Sequence, residues 1–140
     1  MIQTQKRLFK PSLFYFIILL LLVLPGSINA QTTPVIFQNW LILGESKTHL
    51  DVSFRIVRCD GINKAELKIT SENNTEAVLH CTVNFINSAT NDKIVKEINF
   101  PVASFTVLAP GCGATNPFPN LAIELPASFN PANITATIIF

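Results

Sequence analysis

The chain has 140 residues, 49% of them apolar and 14% charged, with a formal net charge of +1. So apolar and weakly charged a composition excludes intrinsic disorder, and the charge balance excludes the clustered positive surface that nucleic acids require. The first 30 residues hold three of the ten basic side chains, Lys6, Arg7 and Lys10, and no acidic ones; the rest carries seven basic against nine acidic, a net −2. That remainder is enough chain for one core and not two.

Residues 1–30 have the order of a secretory signal peptide. A basic stretch, Met1 to Lys10, precedes twelve apolar residues, Leu13 to Leu24, and Pro25-Gly26 then breaks any helix. A membrane-spanning helix needs roughly 20 apolar residues, so this run is short for one. Ala30 suits a cleavage site, although Ile28 is larger than the small residue usual two positions earlier. An uncleaved N-terminal anchor is therefore the alternative, and the only membrane contact expected. The expected organisation is a signal peptide over 1–30 and a single domain over 31–140. The destination is secreted, periplasmic or extracellular.

Beyond Ala30 the sequence alternates with period two. Val35 to Leu43 is a first apolar run, closed by Gly44-Glu45-Ser46. Val52-Phe54-Ile56 then alternates with Ser53 and Arg55, and Ala65-Leu67-Ile69 with Glu66 and Lys68. Leu79-Cys81-Val83-Phe85 follows the same rule, as do Ile134-Ala136-Ile138-Phe140 near the end. Such alternation places each apolar set on one face of an antiparallel sheet. Asp60-Gly61-Ile62-Asn63 marks a tight hairpin and Ser71 to Asn74 a second turn. Asn87 to Asp92 precedes a strand Lys93–Phe100, and Pro101 divides it from a further strand, Val102–Leu108. Ala109 to Asn120 is rich in Pro and Gly and reads as loop, with a short run Leu121–Leu125 behind it. The last run, Ile134–Phe140, is expected to be pinned inside the fold.

Strands at this spacing predict an all-β fold, an immunoglobulin-like or fibronectin-III-like two-sheet sandwich of about seven antiparallel strands, with a small closed barrel as the alternative.

Three cysteines, Cys59, Cys81 and Cys112, cannot all pair within one chain. Strand phase puts Cys81 on the apolar face as a buried thiol. Cys59, off the face of Phe54 and Ile56, is then expected to form a disulfide with Cys112. Pairing Cys81 with Cys112 would reverse the phase, and an oxidising destination disfavours three free thiols.

Chemical motifs are sparse. His80 and Cys81 are neighbours on a strand and face opposite ways, so they cannot share a metal ion; His49 and Asp51 share a face but lack a third ligand. Gly111-Cys112-Gly113 with His49 or His80 as base would be a minimal thiol site, but the chain is short for an enzymatic cleft. No catalytic residue, metal site or cofactor is expected. Trp40 reads as a core anchor rather than a sugar platform. The sequons Asn73-Asn74-Thr75 and Asn133-Ile134-Thr135 matter only in a glycosylating host. Phe118, held between Pro117 and Pro119, is either an exposed tip or a plug over the sandwich end. The candidate contact loop is therefore Thr115, Asn116, Pro117, Phe118, Pro119 and Asn120. The expected function is a non-enzymatic binding or structural role with a protein or envelope partner. A module for glycans or small apolar ligands is the alternative.

Overall fold

The structure, a computed structural model, describes residues 33–113 and 116–140. The expected signal peptide therefore lies outside the described residues, as do Ala114 and Thr115. Among these residues eight strands appear, in the order β1 (Val35–Glu45), β2 (Leu50–Cys59), β3 (Ile62–Ser71), β4 (Ala77–Asn87), β5 (Lys93–Val102), β6 (Val107–Leu108), β7 (Ala122–Glu124) and β8 (Ile134–Ile139). They form two antiparallel sheets. The larger runs β1-β2-β3, with β6 and β7 both on the far side of β3; the smaller runs β5-β4-β8. The fold is an all-β two-sheet sandwich. Among the described residues no helix is long and apolar enough to cross a membrane.

The period-two pattern becomes the core directly. Leu50, Val52, Phe54 and Ile56 of β2 and Ala65, Leu67 and Ile69 of β3 meet Leu79, Cys81, Val83 and Phe85 of β4 between the sheets. The rings of Phe54 and Phe85 cross that interior with centroids 6.2 Å apart. Cys81 is a free, buried thiol, as its phase required.

The β2–β3 hairpin closes on two residues. Asp60 and Gly61 have φ of 52° and 81°, and Cys59 pairs with Ile62 directly across them. Two successive positive φ values are what a two-residue hairpin loop needs, because its twist then matches that of the strands. The register runs unbroken from this turn and sets Arg55 opposite Glu66.

Two expectations about strands are corrected. Val102–Leu108 is not one strand: β5 continues through Pro101 to Val102, and only Val107–Leu108 returns to pair with β3. The missing proline N–H is tolerated because β5 is an edge strand. Between them the chain turns sharply, with Phe105 at a φ of 49° and its N–H donating to the Asn73 carbonyl. The last strand, β8, is not pinned in the interior. Among the described residues it is the edge of the smaller sheet, paired with β4 alone. Ile134 is buried, but Ile139 remains 64% exposed.

Candidate functional site: the outer face of the larger sheet and its open edge

Cys59 and Cys112 form the disulfide, with Cα atoms 5.4 Å apart. Cys59 sits on β2 in phase with Arg55 and Val57, on the outer face of the larger sheet, and is nevertheless 1% exposed. The loop after β6 lies over it. Gly113 takes a φ of +96°, which lets the loop turn immediately after the cysteine.

Glu66 is on the same outer face, on β3, and has no exposed surface. Its Oε2 accepts from Arg55 Nε and Nη2, both at 2.6 Å. Its Oε1 lies 3.9 Å from Cys59 Sγ. A disulfide sulfur carries no hydrogen, so this contact supplies no donor to that oxygen. Above the pair lies Trp40. The Arg55 guanidinium carbon is 4.6 Å and Lys68 Nζ 5.1 Å from its ring centroid. Trp40 is thus a half-buried lid reaching from β1 over the side chains of β2 and β3, and not a core anchor. The reversal has a local cause: the β1–β2 register shifts between Gln38 and Leu41, so strict alternation does not carry through Trp40. An indole already stacked with two cations is not a free platform for a sugar ring.

The candidate loop is partly structural. Asn116 Oδ1 accepts from Gly111 N–H at 3.1 Å and Phe118 N–H at 3.0 Å, which fixes the bend. Phe118 packs against the core and meets Phe100 edge-on with centroids 6.2 Å apart. It is the plug over the sandwich end, not an exposed tip. Pro117, Pro119 and Asn120 are exposed, and Asn120 borders a hollow of about 140 Å³ against Lys96, Asn99 and Phe100 of β5.

His49 and Asp51 border an open hollow with Glu45, Glu72 and Asn73, and His49 Nδ1 lies 2.7 Å from Glu45 Oε1. These groups do not converge. Among the described residues only Cys59, Glu66 and Cys112 bring three ligand-type atoms within 4.8 Å of one another. His80 is exposed on the outer face of β4, away from Cys81 on the inner face. At the first sequon, Asn73 Nδ2, the atom a glycan would take, donates to the Thr48 carbonyl at 2.6 Å.

Two features escaped the sequence reading. The first is Phe105, 73% exposed at the tip of the β5–β6 turn. Its sequence signal was only the polar Ser104 and Thr106 on either side. The second is β1 itself. Among the described residues it pairs with β2 alone, and Val35, Ile36, Phe37, Leu41 and Ile42 are all more than 40% exposed, Ile42 reaching 80%. Toward its end β1 nears β8: a Cβ on Gly44 would lie 3.2 Å from the Phe140 ring. No family model matches the chain, and neither do curated proteins or solved structures.

Burial pushes the Cys81 thiol up from its ordinary 9.0 to about 11. The folded protein should therefore resist alkylation at pH 8, because so little thiolate is present. Mass spectrometry should find no adduct on the folded protein, one after denaturation, and three after denaturation with reductant. In the unfolded chain this thiol loses its proton near pH 9, and in the folded one only near 11. The folded state binds more protons between those values, so the contribution is complete below pH 9 and lost as pH rises toward 11. Cys81→Ala should remove that part of the alkaline decline. An unchanged slope would refute the assignment.

Proposed function

We propose that this chain is an exported, non-enzymatic β-sandwich of immunoglobulin-like type whose role is assembly through the open edge of β1, with a second copy of the chain as partner. The observation that carries this reading is that Val35–Gly44 holds no charged residue, lies at a sheet edge and exposes five large apolar side chains. Edge strands of monomeric proteins are usually blunted by charge, proline or a covering element, since their free N–H and C=O groups template another strand. The register shifts of β1 interrupt pairing with β2 without placing any charge on Val35–Gly44. Antiparallel pairing of this strand with its own copy sets no like charges opposite each other, and a two-fold contact needs only one such self-complementary patch. Export is supported by the order of residues 1–30 and by the disulfide, which persists in oxidising compartments.

The test is sedimentation velocity of the purified protein over a range of concentrations. The native chain should show a concentration-dependent dimer, and Leu41→Lys with Ile42→Lys should be monomeric with an unchanged thermal midpoint. A native chain that stays monomeric throughout, or a double variant that associates equally well, would reject the β1 interface.

A further inference from the structure

We infer that Cys59, Cys112 and Glu66 form a zinc-class metal site that exists only when the disulfide is reduced. The three donor atoms lie within 4.8 Å of one another, and Glu66 is fully buried with Oε1 directed at the sulfurs. In the oxidised protein Cys59 Sγ stands 3.9 Å from Oε1 and carries no hydrogen to donate to it. Reduction gives that oxygen something to act with. A dithiol reductant supplies two electrons and two protons, opening the S–S bond to two thiols and itself becoming a disulfide. Zinc then displaces both thiol protons to solvent and takes two thiolates. Glu66 Oε1 is the third ligand, and solvent supplies the fourth.

The distances suit a tetrahedral ion. Bonds of about 2.3 Å to sulfur and about 2.0 Å to oxygen place sulfur and oxygen roughly 3.5 Å apart and the two sulfurs about 3.8 Å apart. The Cys59 Sγ–Glu66 Oε1 separation is already 3.9 Å. The sulfurs have to part by about 1.8 Å from a bonded pair. Cys112 can make that movement: it is half-buried, and a Cβ added at Gly111 or Gly113 beside it would meet nothing within 4 Å. Arg55 holds the other carboxylate oxygen, Oε2, at 2.6 Å, and so orients the ligand without standing between it and the sulfurs. Oxidation would expel the metal, so an oxidising compartment keeps the site closed.

The experiment is titration of the reduced and the oxidised full chain with cobalt(II), followed by zinc(II) competition. The reduced protein should bind one equivalent, with a thiolate-to-cobalt charge-transfer band, and the oxidised protein none. Cys112→Ser should abolish the band and Cys81→Ser leave it unchanged. Glu66→Gln should weaken binding at least about tenfold, and Arg55→Met, a positioning change, about tenfold. A reduced chain that loses its fold should regain its circular dichroism on adding zinc, and failure to do so overturns the site. So does a one-equivalent band that is absent, unaltered by Glu66→Gln, or equally tight in urea.

Discussion

Arg55→Ala is expected to destabilise the protein by about 3 kcal/mol, because it strands a carboxylate that has no access to solvent. Glu66 has no exposed surface, while the Arg55 side chain is 18% exposed and bonds it through both Nε and Nη2. Removing the guanidinium takes away both contacts to Oε2, and the sulfur beside Oε1 supplies no hydrogen in their place. With a urea slope of about 1.5 kcal/mol/M, the unfolding midpoint should fall by about 2 M. Arg55→Lys keeps the charge but loses the forked contact, and should recover only part of the loss. Arg55→Met combined with Glu66→Leu should be much closer to native than Arg55→Ala, since a buried ion pair replaced whole no longer carries its desolvation cost. A midpoint for Arg55→Ala within about 0.3 M of native would mean that the outer face opens to water when the pair is broken.

Cys112→Ala should lower stability by about 4 kcal/mol, the chain-entropy value for a closed loop with a sequence separation of 53. Cys59→Ala should lose that amount and more, because it also empties a position that is only 1% exposed. Equilibrium unfolding in urea without reductant compares the two directly. The effects of Cys112→Ala and Arg55→Ala should not add, since the disulfide and the ion pair meet at Glu66 and the loop that leaves one uncovers the other. Additivity within about 0.3 kcal/mol would show that the loop and the ion pair are independent.

Much of this architecture is legible in the order of residues. Alternation from Leu50 to Ile56 and from Leu79 to Phe85 puts the right side chains between the sheets, because successive Cβ atoms of a strand point to opposite faces whatever the partner. The sequence marks Asp60 to Asn63 as a hairpin turn, but the structure decides that only Asp60 and Gly61 form the loop, and that two-residue loop sets the register in which Arg55 faces Glu66. Phase also separates Cys81 from Cys59, which chooses the disulfide. Where these local rules fail, the failure is at an edge or a turn. Pro101 stays in its strand because no partner needs its N–H, and Phe105 leaves its run because the chain bends back to Asn73.

The sequence by itself determined which residues share a face, since that follows from strand geometry one residue at a time. Only the tertiary structure decided which faces and edges are covered. The outer face of the larger sheet reads as a wet face of Arg, Glu and Lys. It becomes an enclosed ion pair because a loop 53 residues away in sequence is tied over it and Trp40 lies across it. The first strand reads as an apolar run with Trp40 as a core anchor, and turns out to be an open edge with Trp40 on the outer face. The reason is the same in both cases: a period of two records the direction of a side chain, whereas burial depends on what other part of the chain arrives on that side.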